Sequence, residues 1–121
     1  SILGKKFSQK VLENPQIKIF YISPLVDMEL KYIFCRRSGF QNAIKYASEF
    51  LKDFIIYSES ELRDEASHLK CNFPISIADC YSLAIGKIRN IPVYMKKEEE
   101  IDKVLEELLS VVKIIYIDNL V

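Results

Sequence analysis

The chain has 121 residues and a mass of 14.1 kDa, which is the size of one ordinary domain. Lys+Arg and Asp+Glu number 17 each, so no overall positive field attracts nucleic acid, and any such binding must come from a local patch. A hydrophobic fraction of 50% with 28% charged residues excludes an intrinsically disordered chain. We therefore expect one folded domain over residues 1–121.

The cysteines and the distribution of apolar residues indicate the cell compartment. Cys35, Cys71 and Cys80 are odd in number, far apart and set in apolar helical patterns, so neither a disulfide framework nor a zinc site is indicated. No stretch reads as a secretory signal, and no apolar run approaches the roughly 18–20 residues that cross a bilayer. We expect a cytoplasmic protein that does not enter the membrane.

Apolar periodicity and turn residues predict helices and strands that alternate along the chain. The predicted helices cover residues 2–13, 24 to about 37, 40–52, 60 to about 73, 77 to about 88 and 98–110, and the predicted strands cover 17–22, 54–57, 92–95 and 113–117. Such alternation indicates βαβ units, a mostly parallel sheet and helices on both of its faces. We therefore predict a three-layer α/β/α sandwich.

Two of these helices begin with strong capping signals. Ser23-Pro24 supplies a capping hydroxyl and a proline at the first helical position, and Ser76 with Asp79 forms a start like a capping box. Apolar stripes are expected to turn both helices towards the core. The stripes consist of Leu25, Met28, Tyr32 and Cys35 in the first helix and of Ile77, Tyr81, Ala84, Ile85 and Ile88 in the second.

Glu29 and Asp79 lie off these stripes, early in helices that follow strands or loops. Ligands of parallel α/β sheets bind outside the carboxyl ends of the strands, where both acids are expected to lie. Each also has a simpler interpretation. Asp79 can stabilise the start of its helix, and a single helical glutamate is usually solvated surface.

Two segments give the acids a shared context. The stretches YISPLVDMEL at 21–30 and SIADCYSLAIGKIRNIPVYM at 76–95 resemble the acidic segments of the PIN-domain family of metal-dependent ribonucleases, which includes VapC-type toxins. The order of helices and strands is similar to that family over nearly the whole chain. The resemblance implies that Glu29 and Asp79 bind Mg²⁺ or Mn²⁺ and that the protein hydrolyses RNA. It also implies a homodimer and an antitoxin partner.

The chain departs from the family pattern at two acidic positions. The family's first aspartate ends an opening strand that would precede Ser1, so we expect an upstream segment, or another chain, to complete the sheet. The family commonly has a Gly-Asp pair after the strand at 92–95, where this chain has Lys96 and Lys97. Glu98 comes one residue later. Lys96 and Lys97, with Lys87 and Arg89, are candidates for RNA phosphate contacts or for solvated surface.

Other function classes have less support in the sequence. The main alternative is a PIN-like domain without cleavage activity that binds protein or RNA. With three glycines in all, the chain has no glycine-rich phosphate loop. His68 is the single histidine, and no orienting group makes it part of a nucleophilic pair with Cys71, so we assign it no role.

Overall fold

A computed structural model describes residues 19–120 as a mixed α/β fold. The helices are α1 (Pro24–Ser38), α2 (Phe40–Phe50), α3 (Glu59–Asn72), α4 (Ile77–Arg89), α5 (Glu99–Asp102) and α6 (Leu105–Leu108). The strands are β1 (Phe20–Ile22), β2 (Phe54–Ile56), β3 (Val93–Met95) and β4 (Ile114–Tyr116), followed by a 3₁₀ helix over Ile117–Leu120. The predicted helix over 2–13 and the start of the predicted strand at 17–22 lie outside the described residues.

The four strands form two parallel pairs, which confirms the predicted strand direction. Strand β1 pairs with β2, with Phe20 opposite Phe54, and β3 pairs with β4, with Val93 opposite Ile114. Within residues 19–120, no ladder joins one pair to the other. A single sheet that contains all four strands therefore remains a prediction.

Helices pack against both faces of the β1–β2 pair. Successive side chains of a strand point to opposite faces, so neighbouring residues of one strand contact different parts of the protein. Ile22 and Phe54 pack against a small core that includes Leu30 of α1 and Ala47 of α2. Tyr21 lies on the other face, with the larger core of α3, α4 and the β3–β4 pair. The two faces of this strand pair thus contribute to two different hydrophobic clusters.

Helix α4 is central to the larger core because it packs against α3 and contacts both β1 and β3. Five residues of α4 are buried, namely Cys80 and the four consecutive residues Leu83, Ala84, Ile85 and Gly86. Gly86 marks the closest approach: a Cβ atom there would overlap Val93 Cγ2 and would lie 2.9 Å from Val112 Cγ2. The missing side chain lets the helix backbone pack directly on the β3–β4 pair.

Both predicted apolar stripes are wrong in part. On α1, Met28 and Tyr32 are 59% and 56% exposed, and Leu30 is the buried residue instead. On α4, Ile77 and Ile88 are 61% and 46% exposed. Helix α1 carries apolar residues around most of its circumference, so its spacing does not select one buried face.

The predicted helix over 98–110 is also wrong, because two four-residue helices replace it. The backbone of Val104, with φ −119° and ψ 13°, leaves the helical region between α5 and α6. Ile101 of α5 and Leu108 of α6 are nevertheless fully buried. These two apolar residues are therefore buried although no continuous helix joins them.

Among the helices in the described part of the chain, none has the length and apolar character needed to cross a membrane.

The contact at Gly86 predicts a stability effect. Replacing Gly86 by Ala raises helix propensity by about 1 kcal/mol, but the added methyl group must displace Val93 and Val112. Overpacking typically costs about 1–3 kcal/mol, so after the propensity gain we expect Gly86→Ala to lower the free energy of unfolding by about 1 kcal/mol, measured by urea denaturation. Ser82→Ala, on a partly exposed position of the same helix, is the control and should change it by less than about 0.5 kcal/mol. Equal stability of Gly86→Ala and the wild type would contradict the close packing.

Candidate functional site

Asp79 lies in the first turn of α4, where the sequence places it. Ser76 precedes the helix with extended backbone, φ −65° and ψ 155°, and its Oγ accepts a hydrogen bond from the Asp79 backbone N–H at 3.1 Å. This bond confirms the predicted cap. The Asp79 side chain is half-buried, so its carboxylate lies at a partly desolvated position.

Two glutamates that follow β3 approach Asp79. Carboxylate oxygens of Asp79, Glu98 and Glu100 all lie within 4.8 Å of one another. Glu98 is half-buried at the residue before α5, and Glu100 is an exposed residue of α5. The three acids come from the start of α4 and from the chain just beyond β3, and we call them the acidic cluster.

The environment of Asp79 disfavours its charged form. Burial is the largest cause and raises the pKa of the Asp79 carboxyl group, while the hydroxyl of Ser76 lowers it. The negative charges of Glu98 and Glu100 raise the pKa of Asp79 further. A positive charge among the three carboxylates would relieve both the desolvation and the repulsion.

Glu29 does not belong to the acidic cluster. It is partly exposed in the second turn of α1, and α1 contacts α4. Its neighbour Asp27 forms an ion pair with Lys31 at 3.0 Å. The pairing of Glu29 with Asp79 as joint metal ligands therefore stays a prediction.

Lys96 and Lys97 are exposed at the carboxyl end of β3, directly before Glu98. The backbone N–H of Lys97 donates to Asp118 Oδ1 at 3.0 Å. This hydrogen bond, with the charges of Lys96 and Lys97, lowers the pKa of Asp118. The two lysines thus lie beside the acidic cluster, and Asp118 partly balances their charge.

A second polar contact holds α4 in place. The Tyr81 hydroxyl donates to Glu59 Oε2 at 2.7 Å, and Arg63 forms a two-point contact with the same carboxylate. The bonds from Arg63 and Tyr81 lower the pKa of Glu59 to about 2. Six residues further along each helix, Lys87 pairs with Glu65 at 2.5 Å. These contacts join α3 to α4 close to Asp79.

The acidic cluster differs from the site that the sequence suggested. Glu98 was expected to miss the fourth acidic position by one residue, but its carboxylate reaches Asp79. Glu100 was not anticipated at all. The sequence signal that could have indicated these two site residues is the spacing of Glu98 and Glu100, two residues apart after a strand. A run of three glutamates, however, usually indicates solvated surface.

The donor set of the acidic cluster suits a hard divalent cation. Mg²⁺ and Mn²⁺ prefer oxygen ligands, and Mg²⁺ typically uses one or two carboxylates while it retains several waters. The three carboxylates lie close enough to share one ion, and Glu100 leaves the site open to solvent. The donor types therefore match those that Mg²⁺ and Mn²⁺ prefer.

Comparisons with protein-family models and with curated proteins find no match to this chain.

The raised pKa of Asp79 predicts a dependence of stability on pH. An acid whose pKa is higher in the folded state destabilises the fold when it is ionised, and this cost disappears as pH falls below its unfolded pKa of about 3.9. We expect Asp79→Asn to unfold at a higher temperature than the wild type at pH 7 without divalent ions, with a difference that shrinks towards pH 4. Asp64→Asn, at an exposed carboxylate of α3, should show no such trend. A difference independent of pH would refute this account.

Proposed function

We propose that this protein is a metal-dependent ribonuclease of the PIN type. The acidic cluster of Asp79, Glu98 and Glu100 is the observation that carries the proposal, because it gathers oxygen ligands around Asp79, one of the two acids that the sequence resemblance singles out. The parallel strand pairs and the helices on both faces of β1–β2 support the proposed three-layer PIN-like sandwich.

Asp79 and Glu98 are the proposed inner ligands, because both are half-buried, and Glu100 is the exposed third acid on the side that is open to solvent. Glu29, through the resemblance, is the proposed fourth acid. A bound Mg²⁺ or Mn²⁺ supplies an activated water and neutralises negative charge on the phosphodiester. The carboxylates would hold the ion, and the cap at Ser76 anchors the backbone of Asp79 at the start of α4.

Lys96 and Lys97 are the proposed contacts for the RNA backbone. They are exposed and directly precede Glu98, so a phosphate held by either ammonium group lies near the acidic cluster. The family resemblance also leads us to propose a homodimer, an antitoxin partner and a cytoplasmic location. Exposed apolar side chains on α1, such as Met28 and Tyr32, are candidate interface residues.

The proposal predicts RNA cleavage that depends on a divalent ion. We expect the protein to cleave single-stranded RNA with Mn²⁺ or Mg²⁺ and to lose this activity with EDTA. Asp79→Asn and Glu98→Gln should each lower the rate by about 10²-fold or more, since even outer-shell changes at metal sites cost 10- to 100-fold. Glu106→Gln, at an exposed glutamate of α6 outside the cluster, is the control and should cleave at the wild-type rate. A gel assay on a labelled RNA measures all four proteins.

One specific observation favours the alternative, a PIN-like domain that binds RNA or protein without cleaving it. Lys96 and Lys97 occupy the place where the family commonly has Gly-Asp, and a lysine beside a metal site repels the ion. Binding of RNA without cleavage, equal in the wild type and Asp79→Asn, would establish this alternative and reject the nuclease. Loss of cleavage in Asp79→Asn with retained RNA binding would reject the alternative.

A further inference from the structure

The side chains of the β3–β4 pair alternate between two faces. Val93 and Met95 of β3 lie in the larger core together with Tyr116 of β4. Tyr94 and Ile115 lie directly opposite each other in the ladder, and neither belongs to the two hydrophobic clusters described for residues 19–120. We call the side that Tyr94 and Ile115 form the second face of the pair.

The second face is apolar and partly shielded from solvent. Tyr94 and Ile115 are half-buried, and Ile117, directly after β4, is only 9% exposed. Within residues 19–120, α4 is the one α-helix that packs closely against either strand, and its Gly86 lies on the Val93 side. Parallel sheets are normally covered by helices on both faces. A helix over the second face is therefore missing from the described part of the chain.

We propose that residues 2–13 form a helix of this same chain that packs on the second face and contacts Tyr94 and Ile115. This occupant lies outside the described residues, which start at Ile19, immediately before β1. The sequence pattern, the length of the connection and the shielding of the second face support the choice.

The segment has one apolar side and needs a surface to cover it. Leu3, Phe7 and Val11 are four residues apart, a spacing that places them on the same side of a helix, and most of the other positions are polar. An isolated helix of about 12 residues is marginal in water, so it forms only when such a stripe is buried. A tyrosine paired with an isoleucine offers the apolar surface that this stripe requires.

The connection is long enough for the segment to reach the β3–β4 pair. The last turn of α4 lies on both strand pairs, because Gly86 packs on Val93 and the Arg89 guanidinium lies 4.8 Å from the centre of the Tyr21 ring in β1. Strands β1 and β3 are therefore close together at this turn. Residues 14–18 join the segment to β1, and five extended residues span up to about 17 Å.

The exposed apolar surface of α1 is the competing place for the segment. Met28 and Tyr32 are 59% and 56% exposed, so this surface is open to solvent. Tyr94 and Ile115, in contrast, are half-buried although no described helix covers them. The shielding therefore favours the second face of the β3–β4 pair over α1.

Methyl NMR on the whole 121-residue chain tests the contact without any substitution. With labelled methyl groups of Ile, Leu, Val and Met, we expect NOEs from the ring of Phe7 to the methyl groups of Ile115 and none to Met28. NOEs to Met28 instead, or no NOE from Phe7 to either residue, would overturn the proposal. A mixture of labelled and unlabelled chains separates contacts within one chain from contacts between two copies. NOEs that arise only between copies would overturn the proposal in favour of a dimer.

Urea denaturation measures the same contact through stability. Phe7→Ala should lower the urea midpoint by about 1 M or more, since loss of a buried phenylalanine side chain is costly, whereas Gln9→Ala, off the stripe, should shift it by less than about 0.3 M. Phe7→Ala combined with Ile115→Ala should lower the midpoint by less than the sum of the two single changes, because the residues share one contact. Phe7→Ala combined with Tyr32→Ala should be additive. An unchanged midpoint in Phe7→Ala, or additivity with Ile115→Ala, would contradict the proposed packing.

Discussion

The direct packing of α4 on the β3–β4 pair is the constraint on which the rest of the structure depends. Gly86 allows it, because any side chain at that position would overlap Val93. The same helix contacts β1 of the other pair and packs along α3, so it connects both strand pairs to one core. With the helix fixed in this way, its first turn and Asp79 have a defined position relative to the end of β3.

The acidic cluster forms because α4 holds Asp79 at that position, and the cluster lowers the stability of the fold when Asp79 is ionised. Asp79 is half-buried and faces two further carboxylates, an arrangement that disfavours ionisation and is not needed for helix capping. Polar groups that oppose stability are often found where a ligand binds. The cluster, the lysines that precede it and Asp118 together form one polar region beyond the β3 and β4 strands.

Local signals in the sequence predicted local structure well. The serine caps of α1 and α4 depend on neighbouring residues alone, and both are confirmed. Which face of α1 is buried was harder to predict, because this helix has apolar residues on most sides. Tertiary packing decides which of them are covered, and it leaves Tyr32 exposed. Glu100 could not be predicted, since its approach to Asp79 depends on the path of the chain after β3.

The division of the chain between β3 and β4 into two four-residue helices has a consequence for local opening. A 13-residue helix such as α4 unfolds as a unit with its core, whereas single helical turns open at a lower free energy. From helix length alone, we expect the part of the fold that carries Glu98 and Glu100 to open more readily than the helix that carries Asp79. An ion bound by Asp79 together with Glu98 and Glu100 would have to hold this segment closed, which would lower its apparent affinity, and it would protect the amides of α5 from exchange.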